Sequence, residues 1–488
     1  MYLSYFKWTQ NEYKNLSNKF SEHLLLNDLQ FYYPILSLFF NYHNNKRSKK
    51  TIDIKRRFKV VDIINCKETN DICSNKFIDA LVYDNNNNSI KSKNLFLKTI
   101  PIINIIHYCT NKYDTSNNLL PSNYRYNYNS KINDMNNSAY IDAFFSYIAS
   151  ELYLKNKSPS LAICYGSYVG IGDYIYDATS EYSYVQEYTF FRENIGNLYD
   201  IGFDESDTME YSVSTNGTID SSSTSNSMLT SDSDYSDSEY SHSKIFLYLK
   251  KIPLKQIILE KLEGTLEYFT TDENFNINII VSCFFQITFC LAYLQKHYKF
   301  THNDLHIENI MYTKTKYKYL YYKFNNKYFK VPTYGKIFKI IDYGRSVFEF
   351  NNKIYFSDCF SKHGEADGQY SYPIDTVPLF NTNNNDHIKI NYSFDLCRLS
   401  TTLLDSFESI DAPSNDLYNN FVELLNNILL DKNNQCIYDS ENVSFQLYID
   451  IASKACNGIP KNIISDPLFN MYLISKRDID TNVVYSLD

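Results

Sequence analysis

Glycine, proline and tryptophan are scarce in this chain of 488 residues, at 12, 11 and 1. The ten cysteines, at 66, 73, 109, 164, 283, 290, 359, 397, 436 and 456, form no C-x-x-C pair and no Cys/His zinc spacing. That excludes a zinc ribbon or a local redox dithiol and leaves reduced, mostly buried thiols, the pattern of a cytoplasmic protein. The N-terminus, Met-Tyr-Leu-Ser-Tyr-Phe-Lys-Trp, lacks the charged-then-apolar order of a signal peptide. Long apolar runs are missing too. Ile279 to Leu294 is too short for a membrane span and carries Ser282, Gln286 and Thr288, so it reads as a buried helix with Cys283 and Cys290 on one face, and no membrane partner is expected.

An excess of positive charge is also absent. The formal net charge is -9, from 47 Lys plus Arg against 56 Asp plus Glu. Nine of those acids fall between residues 204 and 243 without one Lys or Arg, so the remainder is formally neutral and gives no argument for a nucleic-acid partner. The basic run Lys46, Arg47, Lys49, Lys50, Lys55, Arg56, Arg57 and Lys59 reads as solvated surface, with nuclear import or nucleic-acid binding as the competing reading. Residues 204–243, rich in Ser, Thr and acids, cannot bury enough apolar surface to order themselves. Within them, Ser231 to Glu239 has the alternation that acid-directed kinases phosphorylate, a plain solvated loop being the alternative.

What is abundant is aromatic and apolar: 47 Tyr, 33 Phe and a 44% hydrophobic share, enough for two cored bodies in a chain of this length. The Asn, Ile, Lys, Tyr and Phe bias is what A+T-rich codons encode. Residues 1–58 read as a helical and then basic extension, with Leu24 to Tyr42 apolar and aromatic. Strand-like runs follow at Phe58–Ile64, Phe77–Tyr83 and Leu95–Ile100, then a helix over Ser138–Leu154, a strand over Leu161–Ile171, and two further strands at Lys244–Leu249 and Gln256–Glu260. After 263 the pattern is mainly helical, at 276–297, 392–407, 416–430 and 444–456. The fold class is therefore α+β, a β-rich part leading into a helical part.

The chemistry lies at that junction. His302, Asp304 and Asn309 stand at H-x-D-x-x-x-x-N spacing, and Asp342 follows a strand-like run, Lys336 to Ile341, with Gly344 two residues on. Phosphoryl transfer needs a carboxylate to orient the attacking hydroxyl, together with an amide and a second carboxylate to hold magnesium ions on the nucleotide phosphates. Each motif alone is weak; the conjunction is specific.

Thr301-His302-Asn303-Asp304-Leu305-His306, Asp342-Tyr343-Gly344-Arg345 and Asn391 to Arg398 resemble the protein-kinase superfamily, most closely the divergent serine/threonine-type kinases of large nucleocytoplasmic DNA viruses. The resemblance covers roughly 75–480. It implies a bilobal fold, with 59–262 as a β-rich N-lobe holding the 204–243 insert and 263–488 as a mainly helical C-lobe. It implies Asp304 as catalytic base, His306 beside it, and Asn309 and Asp342 as Mg²⁺ ligands. Lys98 would bind the ATP phosphates, and Glu260 to Gly264, Leu262 included, would form the adenine hinge. Asp395 would anchor the catalytic loop. Asp142 and Glu151 flank the apolar face of their helix, and spacing cannot choose between them as partner of Lys98; the resemblance favours Asp142.

The implied activity is ATP- and Mg²⁺-dependent transfer to Ser or Thr hydroxyls of protein substrates. A pseudokinase scaffold and an aminoglycoside- or choline-type phosphotransferase are the alternatives. Departures bear on both. No G-x-G-x-x-G precedes Lys98, and His306 stands where serine/threonine kinases have lysine. Asn303 replaces the arginine that reads a phosphorylated activation loop, no A-P-E closes the 345–391 segment, and Asp304 and Asp342 lie 38 residues apart.

Overall fold

The computed structural model describes residues 3–39, 51–69, 72–113, 120–122, 130–204, 244–372, 389–408, 410–411, 415–438, 445–481 and 483–488. Residues 205–243 of the acidic segment, Lys46 to Lys50 of the basic run and 373–388 of the expected activation segment lie outside them.

Strand β1 (Tyr5–Lys7) pairs antiparallel with β3 (Ile52–Ile54). The large sheet comprises β2 (Asn27–Gln30), β4 (Phe58–Glu68), β5 (Lys76–Asp84), β6 (Ser89–Pro101), β7 (Cys164–Asp177), β8 (Tyr199–Asp204) and β9 (Lys244–Glu260), in the order β2-β7-β9-β6-β5-β4, with β8 also on β9. Two-residue alternation sets its faces. On β6, Leu95, Leu97 and Thr99 are buried on one side, which turns Phe96, Lys98 and Ile100 to the other. The helix Ser138–Leu154, capped by the Asn137 side chain, packs there, with Ala143 against Cys164 and Ile257.

Two expectations change. Beyond Leu24 the helical reading fails: the helix Gln10–Leu24 stops where Leu25 turns left-handed at φ 52°, β2 joins the large sheet, and Pro34 starts a short 3-10 turn, while residues 40–42 lie outside the described ones. The extension is thus part of the sheet. Gly170 of β7 permits this, because a Cβ there would sit 2.7 Å from the Asn27 carbonyl oxygen. The two strands read at 244–249 and 256–260 are one, β9, whose mid-strand Pro253 carbonyl accepts the Ile102 N–H at 3.0 Å. The apolar helix read at 276–297 runs over Ile277–Tyr298. By length and mean hydropathy of 2.0 it would pass as a membrane span, yet 94% of that stretch is buried inside the protein, as the core around which the C-terminal helices pack.

Those helices are Phe394–Glu408, Asp416–Ile428 and Gln446–Lys454; Phe284 of the core helix meets Phe421 edge-on at 5.3 Å. A three-stranded sheet orders β10 (Gly264–Thr265), β11 (Ile310–Lys314) and β14 (Lys336–Ile340). Between β11 and β14 the chain makes a hairpin, β12 (Tyr319–Phe324) and β13 (Lys327–Pro332), closed by Asn325 and Asn326 at φ 48° and 58°, the left-handed pair of a type I′ turn. This explains the long spacing between Asp304 and Asp342, since β11 and β14 still pair from Ile310↔Ile340 onward. Strands β15 (Val347–Phe350) and β16 (Lys353–Phe356) form a second hairpin, and β17 (Leu473–Ile474) and β18 (Tyr485–Ser486) join the first. The whole is α+β, a curled sheet with helices, compatible with a bilobal kinase-like fold.

Candidate active site

Lys98, Asp142 and Asp342 converge from three elements. Lys98 Nζ on β6 lies 2.7 Å from Asp142 Oδ2 on the Ser138–Leu154 helix and 2.8 Å from Asp342 Oδ1 after β14. Glu151 instead pairs with Lys155 at 3.2 Å. Asp142 also accepts from Ser146 Oγ and the Tyr343 N–H, each at 3.2 Å, so the helix is tied to the Asp342 turn as well as to the lysine.

The charges in this cluster are unequal. Asp342 is half exposed, and the partial desolvation that works against its ionisation is outweighed by Lys98, with His302 and the Gly344 N–H behind it, which draws its pKa down to about 2. Burial pushes Asp142 up, against Lys98, and the nearby Asp342 charge adds to the rise. Burial opposes the Lys98 charge, and the two carboxylates overcome it, so the ammonium is held. Asp342 adopts φ 63°, a left-handed conformation that costs a non-glycine residue energy and aims its carboxylate back at Lys98. Gly344, which the sequence singled out, needs no glycine freedom, since a Cβ there meets only Asp342 Oδ1 at 3.4 Å.

The 301–309 loop is held from behind. Asp395, fully buried on Phe394–Glu408, accepts the His302 N–H at 2.9 and 3.1 Å and the Asn303 N–H at 2.9 Å. His302 Nε2 meets the Ile341 carbonyl at 2.8 Å, linking this loop to the Asp342 turn. Asn303, at φ 64°, donates to the Arg345 carbonyl at 3.0 Å and accepts the Tyr370 hydroxyl at 2.8 Å. A neutral amide therefore ties the segment after Asp342 where an arginine would need a phosphate.

Asp304 stands at the front of the loop. Its Oδ1 accepts the Tyr448 hydroxyl at 2.8 Å and lies 3.5 Å from Arg345 Nη1. Tyr448, on Gln446–Lys454, was not found from the sequence, because it is 144 residues away and belongs to no motif. Its ring lies 4.9 Å from the Arg398 guanidinium carbon and 5.7 Å from that of Arg345.

His306 contributes no cation here. Burial and Arg398 lower its pKa against the pull of Asp304 and Glu308, and its Nε2 meets Asn309 Nδ2 at 2.9 Å. Asn309 Nδ2 also donates to the Asp304 carbonyl at 2.9 Å, which leaves its Oδ1 without a partner among the described residues. That oxygen and the Asp342 carboxylate are hard donors suited to Mg²⁺. No group of three or more His, Cys, Asp and Glu is gathered for a metal among the described residues.

At the expected hinge the side chain of Glu260 is already committed. Its Oε1 accepts the Ile163 N–H at 2.8 Å and pairs with the buried Lys339. Leu262 is buried at its side chain and makes no backbone hydrogen bond among the described residues, whereas the Glu263 N–H is taken by the Tyr312 carbonyl at 2.9 Å. The turn between β4 and β5, where a phosphate-covering loop would lie, contains no glycine.

Such a cluster of lysine, paired carboxylates and an Asp/Asn loop is compatible with kinase-type phosphoryl transfer. The chain is similar, over 101 residues and at 34% identity, to the serine/threonine-protein kinase haspin of Bos taurus, and over 99 residues at 32% identity to that of Mus musculus. The matched stretches take in 21% and 20% of this chain and 13% of each kinase, so the chain spans well under two thirds of the curated relatives it matches. No family model matches the chain.

Proposed function

We propose that the chain is an ATP- and Mg²⁺-dependent protein kinase that transfers the γ-phosphoryl group to Ser or Thr hydroxyls. The observation that carries the proposal is Lys98 bridging Asp142 and Asp342 beside a loop that presents Asp304 and Asn309. Lys98 would neutralise nucleotide phosphate, Asn309 and Asp342 would hold the metal, and Leu262 would offer its free backbone to adenine. Bound Mg²⁺ supplies charge neutralisation at the phosphates. Asp304 would orient the acceptor hydroxyl and take its proton. In this reading 59–262 and 263–488 are the two lobes, the substrate is protein, the setting is cytoplasmic, and the narrower likeness to viral kinases rests on the motifs alone.

The test is incorporation of labelled phosphate from ATP into casein, myelin basic protein, the chain itself, and an aminoglycoside or choline acceptor. Asp304→Ala should lower incorporation by about 10²- to 10⁴-fold while nucleotide binding stays measurable. Label in the small acceptors alone would make the protein a small-molecule kinase. Equal label with and without Asp304 would remove the assignment, and nucleotide binding without transfer to any acceptor would favour a pseudokinase.

A further inference from the structure

Arg345 follows the Asp342-Tyr343-Gly344 turn, and the transfer as proposed gives it no part. Its backbone is fixed from two sides: the Arg345 carbonyl accepts Asn303 Nδ2 at 3.0 Å, and the Ser346 N–H closes the turn onto the Tyr343 carbonyl at 3.0 Å. From that anchor the side chain reaches the front of the 301–309 loop, where Nη1 lies 3.5 Å from Asp304 Oδ1. The contact is loose, being longer than the roughly 2.7–2.9 Å of a charge-assisted hydrogen bond. Both side chains still meet solvent, Arg345 at 24% and Asp304 at 23% exposure.

Among the described residues no other cation pairs with Asp304. Lys98 is shared between Asp142 and Asp342. His306 turns its Nε2 to the Asn309 amide. Arg398 comes from the helix behind the loop, stacks on the Tyr448 ring at 4.9 Å and donates Nη1 to Thr401 Oγ1 at 2.8 Å. Asp304 itself is half engaged: Oδ1 takes the Tyr448 hydroxyl at 2.8 Å, and Oδ2 has no hydrogen-bond partner among the described residues. An acceptor hydroxyl therefore has Oδ2 to meet, and a group moving onto that hydroxyl passes beside the Arg345 guanidinium.

We infer that Arg345 is a catalytic residue of the transfer: when the acceptor docks, its guanidinium moves off Asp304 Oδ1 and holds the equatorial oxygens of the γ-phosphoryl group in flight. The inference rests on the transferase reading. The acceptor oxygen gives its proton to Asp304 and forms the new bond to phosphorus; the bond from phosphorus to the β,γ-bridging oxygen breaks, and ADP leaves with that electron pair. Arg345 exchanges no proton. It supplies fixed positive charge in a planar fork that matches two phosphoryl oxygens, where position 306 carries a histidine in place of lysine.

Transfer from MgATP is measured with the acceptor that the wild-type chain labels. Arg345→Met lowers kcat about 10²- to 10³-fold and leaves the KM for ATP within about threefold. A second readout needs no turnover: calorimetric titration with MgADP, with and without aluminium fluoride, a mimic of the moving phosphoryl group. Fluoride tightens ADP binding to the wild type at least about tenfold, and to Tyr448→Phe as well, whose Asp304 is equally released; Arg345→Met binds MgADP like the wild type and loses the gain. Arg345→Gln serves alone if the methionine variant does not fold. A folded Arg345 variant with unchanged kcat, with only a raised KM, or with the fluoride gain intact would overturn the inference and leave the transferase reading standing. A wild-type chain that labels no acceptor would overturn both.

Discussion

Replacing Lys98 by methionine removes the cation that two carboxylates share. Nζ lies 2.7 Å from Asp142, whose side chain is 2% exposed, and 2.8 Å from Asp342, which is 45% exposed. Stranding a buried charge by removing one partner costs about 3–5 kcal/mol. Here water reaches Asp342, and Asp142 keeps its bonds from Ser146 and the Tyr343 N–H, so the expected loss is about 2–3 kcal/mol at neutral pH. The pH dependence has a definite sign. Burial already holds Asp142 above the usual carboxylate range, and without Lys98 its pKa rises further. The folded variant then binds a proton more readily than the unfolded chain, and its deficit shrinks on acidification. Urea unfolding of both proteins at about pH 7.5 and about pH 5 measures this as a narrowing gap. MgATP should raise the midpoint of the wild type and not that of the variant. A neutral-pH gap below about 0.5 kcal/mol, or one indifferent to pH, would refute the reasoning, because Lys98 would then not be the counter-ion of a buried Asp142.

Tyr448→Phe deletes the hydroxyl donated to Asp304 and nothing else, so kcat should fall about tenfold with the KM for ATP unchanged, as steady-state kinetics would show. Asp395→Ala leaves the His302 and Asn303 N–H groups buried without an acceptor and should destabilise the chain by about 2–5 kcal/mol, whereas Asp395→Asn, keeping one oxygen, should cost clearly less in the same denaturant assay. Lys255 is fully buried, its Nζ has no hydrogen-bond partner among the described residues and sits 3.7 Å from the Tyr33 ring centre, and burial lowers its pKa well below the usual value despite Asp53. The unfolded chain therefore binds the extra proton, wild-type stability rises with pH over the alkaline side, and Lys255→Met should abolish that slope and stabilise by about 1–3 kcal/mol near neutrality.

The parts of the site that sequence reasoning reached are those whose chemistry demands close spacing. Asp304 and Asn309 share one short loop, and Asp342 follows a short Ile/Phe/Lys strand whose last four residues are all buried, so both could be placed without a fold. Lys98 followed from the kinase resemblance, which sets a lysine at the end of that strand. Asp142 and Glu151 could not be separated by periodicity, because both flank the same apolar stripe; the choice depends on which turn of the helix lies over β6, a tertiary fact. Tyr448 and Tyr370 gave no signal, since each acts through a contact made across the fold. Leu24 to Tyr42 misled because apolar content was read without the left-handed stop at Leu25. The gap between the two strands read at 244–249 and 256–260 holds Pro253, normally a breaker, yet β9 runs through it with Pro253 paired to Ile171 and the facing ladder shifting register only between Gly172 and Tyr174.

The hairpin between β11 and β14 carries a consequence for how the chain is built. Its strands are flanked by β17 and β18, from residues 473–486, so one four-stranded sheet draws on segments separated by more than a hundred residues. During synthesis the large sheet and the 301–342 loops emerge first, but this sheet cannot close until residues 473–486 have left the ribosome. Phe285 of the core helix rests on that late sheet, against Phe329 at 5.2 Å and Tyr472 at 5.6 Å. A nascent chain halted before Phe469 would thus hold the Asp304 and Asp342 segments complete in sequence while Phe285 of the core helix still lacked the rings of Phe469 and Tyr472, an aromatic flank open to chaperones.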